Sequence, residues 1–173
     1  SDMLAQAEHS PGASIVISWD ADMLDRIQKS LLDQLEKLER CDLTLASLNE
    51  FGAMILCRDE DQACEVTSMI APEHLQIAID APRRLLDRIR NSGATFLGHF
   101  SPVALGDYAA GPSHVLPTGG TARWASGLSS NHFLRSSSLI EFDQQALREI
   151  APHVAVLADK EGLTAHKQSV LMR

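Results

Sequence analysis

The chain has 173 residues, the size of one domain or a small pair, and its 45% hydrophobic and 22% charged residues exclude disorder, collagen-like repetition and a stapled miniature scaffold. A formal net charge of −8 repels phosphate backbones and anionic lipid, so nucleic acid and membrane are not expected partners. The longest apolar runs, 53–57 and 154–158, fall far short of the ~18 residues of a bilayer span. No signal peptide is expected, and three cysteines (Cys41, Cys57, Cys64) without C-x-x-C spacing point to a reducing cytoplasm rather than disulfides or thiolate zinc.

In chain order, a helix-compatible stretch over 2–9 stops at Pro11-Gly12, and the β-branched run Ile15-Val16-Ile17 reads as a strand. From Asp20, an N-cap residue type, Leu24, Ile27, Leu31, Leu35 and Leu38 recur at spacings of three and four, the period of an amphipathic helix. After Gly52 the apolar run 53–57 has strand length, and acidic 59–61 opens a helix that Pro72 ends after Ile70, negative charge suiting the start of a helix. The next elements are a strand over 76–79, a helix over 82–91 closing near Gly93, and a strand over 95–97. Strands alternating with helices predict an α/β layer structure with a largely parallel sheet. A Gly/Pro/Ser-rich segment over 99–130 is then long enough to be functional. A helix over 143–160, bent at Pro152, and a short helix over 164–172 close the chain.

Candidate chemistry sits near element ends. Gln6 and His9, three apart, share one face of a helix and are able to grip one metal ion; an ordinary polar helix face has the same pattern. Glu73-His74 at an element junction is either an acid and imidazole sharing proton transfer or a surface pair at a helix end. Asp107 with Tyr108 opens the Gly/Pro-rich segment, and His114 lies within Gly111-Pro112-Ser113-His114-Val115-Leu116-Pro117-Thr118, a backbone held to a specific shape or a tight turn with an incidental histidine. Glu161 and His166 flank Gly162-Leu163-Thr164 on what is otherwise a solvated terminal helix. His99, His132 and His153 read as surface or packing residues. The dinucleotide G-x-G-x-x-G, the P-loop, the G-x-S-x-G elbow and H-E-x-x-H are absent from the sequence, which leaves a soluble α/β domain with an N/O metal site as one option.

Taken together, four segments resemble the C-terminal part of the histidinol dehydrogenase family. They are Leu4-Ala5-Gln6-Ala7-Glu8-His9, Ile70-Ala71-Pro72-Glu73-His74-Leu75, Leu105-Gly106-Asp107-Tyr108 running into Ala110 through Ala122, and Glu161-Gly162-Leu163-Thr164-Ala165-His166. Each lies in the family's order, and the resemblance covers nearly the whole chain. It implies NAD-dependent oxidation of L-histidinol through a bound aldehyde to L-histidine, with zinc and NAD as cofactors, a homodimer and a cytoplasmic setting.

Residue by residue, the resemblance implies Gln6, His9, Asp107 and His166 as zinc ligands, Glu73 and His74 as the catalytic pair, and Glu161 and His114 as substrate contacts, His114 reaching the neighbouring subunit's substrate. The ligands and His74 also lie against substrate. His74 takes the alcohol proton, and Glu73 activates water at the aldehyde stage. The implied fold is aldehyde dehydrogenase-like, with incomplete Rossmann-like layers: 1–67 ends the cofactor-side domain, 68–128 ends the second α/β domain, and 129–173 forms a helical tail. Family enzymes are more than twice as long. The half expected to carry the NAD contacts lies outside this sequence, so no cofactor-binding residue is assigned, the isolated chain is expected to be inactive, and the strands at 15–17 and 53–57 are expected to expose apolar faces. Two other readings share these residues: a paralogue oxidising another small polar alcohol, such as a sulfonated diol, and a non-catalytic zinc-holding or dimerising module.

Overall fold

Leu4 and Ala7 are the buried positions of a short opening helix, α1 (Asp2–Ala7). The backbone then folds back so closely that a Cβ on Gly12 would lie 2.0 Å from the Gln6 carbonyl oxygen. The extended run that follows becomes β1 (Ile15–Ser18). In this computed structural model, which describes residues 1–173, α2 (Ala21–Leu35) and α3 (Cys41–Phe51) carry the chain to β2 (Ala53–Leu56). β1 and β2 pair in parallel, Ile15 opposite Ala53 and Ser18 opposite Leu56. Asp20 caps α2 as its sequence predicts, its carboxylate accepting the Met23 N–H at 3.0 Å.

α3 escapes the hydrophobic pattern because its buried residues are polar. Thr44 and Ser47, three apart, face inward, while Leu43 and Leu45 are exposed. The Thr44 hydroxyl donates to the Arg40 carbonyl at 2.9 Å, and the Ser47 hydroxyl accepts the Gly12 N–H at 2.8 Å. Each buried hydroxyl therefore has a partner, which removes the cost of placing it there.

The second sheet follows α4 (Glu60–Ile70). β3 (His74–Ile77) and β4 (Ala94–Leu97) are parallel, His74 opposite Ala94 and Gln76 opposite Phe96. β3 begins two residues before the expected strand over 76–79, since Ala94 N–H already bonds the Glu73 carbonyl at 2.8 Å, and it stops at Ile77. The expected helix over 82–91 is only α5 (Arg83–Leu86). The residues after it bond elsewhere: the Ser68 hydroxyl accepts the Arg90 N–H at 3.1 Å, and the Asn91 amide donates to the Ser68 carbonyl at 3.0 Å. Period-two alternation divides the sheet. Leu75, Ile77 and Leu97 face a cluster with Cys64 and Leu85, and burial pushes the Cys64 thiol pKa up. His74, Gln76, Ala94 and Phe96 share the opposite face.

After β4 come α6 (Ala104–Tyr108) and a single 3₁₀ turn, Thr121–Arg123, within the segment expected to be irregular, and a second 3₁₀ turn, Ser130–Phe133, at its end. Two compact units result, Ser1–Phe133 and Leu134–Arg173. In the second, α7 (Gln144–Lys160) packs against α8 (Thr164–Leu171), burying Ala151, Ala155 and Ala158 of α7. Pro152 lies inside α7 without ending it. On the first sheet Met54 and Leu56 point outward, Leu56 being 57% exposed. No helix is long and apolar enough to cross a membrane.

Two arginines, Arg84 in α5 and Arg88 just after it, tie this stretch to the start of α4. Arg84 pairs with both Glu60 oxygens at 2.5 Å, and Arg88 reaches Glu60 and Asp61. The Arg84 hydrogen bonds hold the Glu60 carboxyl below its ordinary range. A carboxyl lowered in this way contributes stability above its unfolded range, and the contribution is lost as pH falls through the lowered one. Glu60→Gln is therefore expected to lower the melting temperature modestly at neutral pH. Wild-type and variant melts should converge well below the usual glutamate range, as thermal unfolding across a pH series would report.

Candidate functional site

The entry to β3 is shaped by its backbone. α4 ends at Ala71, a fully buried residue in the left-handed region (φ 52°, ψ 61°), a conformation costing on the order of 1 kcal/mol for a residue with a Cβ. Pro72 then prevents further helix, and the chain turns into Glu73 and His74, both partly buried. Main-chain bonds hold this turn to the next strand: Gly93 N–H to the Pro72 carbonyl at 2.9 Å and Ala94 N–H to the Glu73 carbonyl at 2.8 Å. The imidazole of His74 lies beside Phe96, with ring centroids 6.1 Å apart and planes tilted by 42°. Beyond Phe96 comes α6, and a Cβ on Gly106 would fall 2.6 Å from the ring's Cζ. The next residue is Asp107, exposed on this short helix.

The Gly/Pro-rich segment is fastened beside the same turn. Pro117 is buried against Gly93, where a Cβ would lie 2.5 Å from the Glu73 carbonyl oxygen and 3.1 Å from Pro117 Cδ. Arg123 donates to the Gly120 carbonyl at 2.8 Å and to the Met69 carbonyl near the end of α4, where unsatisfied carbonyls favour a cation. Gly120 has a φ of 78°, which suits glycine. His114, earlier in the segment, is exposed. Sequence reasoning used Gly93 only to close a helix and Phe96 only as part of a strand, and passed over Arg123. The signal for Phe96 was its position two residues beyond the partner of His74, visible only once the register is known.

Gly93→Ala tests this fastening. The added methyl must displace the Glu73 carbonyl or Pro117, so a loss of about 1–3 kcal/mol is expected. Denaturant unfolding of wild type and variant would measure it. An unchanged midpoint would mean that the turn yields without cost.

The remaining candidates lie on other elements. Gln6 is partly buried near the end of α1, and exposed His9 follows that helix, its N–H reaching the Gln6 carbonyl at 3.4 Å. The expected shared helical face is thus a helix end and the turn after it. Glu161 caps the C-terminus of α7, and Gly162 (φ 71°) turns the chain toward α8, which carries exposed His166. No three His, Cys, Asp or Glu side chains gather closely enough to hold a metal ion. The donor types of Gln6, His9, Asp107 and His166, an amide, two imidazoles and a carboxylate, nevertheless suit zinc, and three of them face solvent.

Comparison with known proteins places these elements. A family profile described as histidinol dehydrogenase matches residues 1–173. A histidinol dehydrogenase of Rhodopirellula baltica is 61% identical over all of this chain and 38% of its own length. One from Thiocapsa roseopersicina is 46% identical over 99% of this chain and 74% of its own. The crystal structure of histidinol dehydrogenase from Elizabethkingia anophelis superimposes with a TM-score of 0.93 at 32% identity, over 99% of this chain and 40% of that one. The chain spans 38% and 40% of the length of the Rhodopirellula baltica and Syntrophotalea carbinolica relatives. With the profile matched from the first residue to the last, and the turn at Glu73-His74 and the Gly106-Asp107 helix inside the matched region, this chain belongs to the histidinol dehydrogenase family.

Proposed function

We propose that this chain carries the zinc ligands and proton-transfer groups of an enzyme that oxidises L-histidinol to L-histidine through the aldehyde, the closing steps of histidine biosynthesis. The observation that carries this reading is the family match over residues 1–173, within which all four motif segments are present. His74 takes the proton from the alcohol oxygen as hydride leaves the adjacent carbon. At the aldehyde stage Glu73 takes a proton from water as its oxygen adds to the carbonyl carbon, and a second hydride then leaves. Gln6, His9, Asp107 and His166 are the zinc ligands, also lying against substrate, while Glu161 and His114 bind substrate, His114 across a homodimer. When bound, zinc orients the imidazole and amino nitrogens of the substrate, and NAD takes up the hydrides.

The same reading assigns the parallel layers to an aldehyde dehydrogenase-like fold. Residues 1–67 end the cofactor-side domain, 68–128 end the second, and 129–173 form the tail. NAD contacts lie mainly in the part of the relatives that this chain does not span, and the enzyme works in the cytoplasm.

The experiment is a full-length enzyme carrying this sequence, purified with zinc and given L-histidinol and NAD. Nicotinamide reduction in two equivalents per histidine formed, with one zinc per subunit, is the expected result. Glu161 and His114 favour histidinol as substrate, so faster oxidation of another small polar alcohol in a substrate panel would reassign it. No reduction with any alcohol would leave a zinc-holding or dimerising module.

A further inference from the structure

We infer that Phe96 is a positioning residue for this reaction: its ring is the spacer that sets the His74 imidazole relative to the helix carrying Asp107. The inference rests on the roles of His74 and Asp107 proposed above. Phe96 lies on the sheet face of His74, diagonally across the β3–β4 pair. Their ring centroids are 6.1 Å apart at a 42° tilt, within the range of tilted aromatic contacts. At its Cζ end the ring meets α6, where a Cβ on Gly106 would lie 2.6 Å from Cζ and 3.1 Å from Cε1. A single rigid side chain therefore neighbours both the base and the residue next to Asp107. Its role differs from packing, because the apolar cluster of this sheet, with Leu75, Ile77 and Leu97, lies on the opposite face.

A phenyl ring suits this task. Two side-chain torsions fix it, and it has no polar group to compete for the imidazole proton. Gly106 is the complement, since a Cβ there would force the ring or α6 to shift. Reaction at His74 needs the base within hydrogen-bond reach of an alcohol held elsewhere, and misplacement by about 1 Å costs on the order of 100-fold.

The test uses the full-length enzyme with F96L, G106A and the double variant. Expected for F96L is a kcat for histidinol reduced on the order of 10- to 100-fold, with KM within about twofold and zinc content unchanged, a split that general destabilisation would not produce. G106A should lose turnover similarly, and adding F96L to it should restore part of the loss, because the smaller side chain makes room for the new methyl. In isotope-labelled enzyme the His74 ring proton resonances should move in F96L as the ring current is lost. If F96L fails to fold, F96M refills most of the volume without a ring and replaces it. Full turnover in the folded variant, or His74 resonances that stay in place, overturns the proposal. If wild type does not oxidise histidinol, the functional reading fails separately, and the His74 resonances in G106A, where the Phe96 ring is retained but displaced, decide whether Phe96 sets the imidazole.

Discussion

Replacing His74 with Asn in a full-length enzyme is expected to abolish alcohol oxidation while leaving oxidation of supplied histidinal measurable. A positioned general base contributes typically 10²–10⁴-fold, and no other residue in the motif segments is assigned the alcohol proton. Asn keeps a polar side chain of similar reach at the start of β3, where the backbone is already fixed by the Ala94 to Glu73 hydrogen bond, so the loss should fall on rate rather than folding. Glu73→Gln should act on the other half of the reaction. Alcohol oxidation continues, and conversion of aldehyde to acid slows, because the proposed mechanism gives water activation to the carboxylate. Stopped-flow measurement of nicotinamide reduction from histidinol and from histidinal separates the two. Normal oxidation of histidinal by the Glu73→Gln enzyme would show that the division of labour is wrong.

The 173-residue chain by itself is expected not to turn over histidinol. It spans 38% of the Rhodopirellula baltica relative and 40% of the Elizabethkingia anophelis structure. Each of its two sheets has two strands, fewer than a stable layer normally needs. Holding alcohol and hydride acceptor in register supplies about 7–11 kcal/mol of barrier reduction, and a chain that places only one reactant forfeits it. Outward-facing Met54 and Leu56 on β2, together with free strand edges, should also make the isolated chain self-associate. Mixing it with zinc, L-histidinol and NAD, alongside light scattering, tests both. Turnover near that of a full-length enzyme, with contamination excluded, would place the NAD site in these residues.

Where local chemistry fixes structure, the sequence was readable. Asp20 and the leucine spacing after it mark α2, and β-branched or apolar runs mark β1 and β2. α3 was hidden because its inward residues are Thr44 and Ser47 and its outward ones leucines, the reverse of the usual pattern. α5 was read too long because apolar spacing continues through Ile89, whereas Ser68 takes the Arg90 N–H. For the candidate site, Glu73, His74 and Asp107 stood out as residue types at element ends. The contacts that hold them did not, since the Phe96 ring against Gly106 and the Gly93 backbone against Pro117 depend on strand register and loop path, which no short segment encodes.

The two faces of the β3–β4 sheet divide labour residue by residue. Along β3, Leu75 and Ile77 belong to the apolar cluster, while His74 and Gln76 look the other way; along β4, Leu97 faces the cluster and Phe96 faces His74. In a mutational scan scored once for soluble yield and once for turnover per folded molecule, sensitivity should alternate between the two scores at every step along each strand. Neighbouring codons then answer to different selections, the even positions of β3 to chemistry and the odd ones to stability.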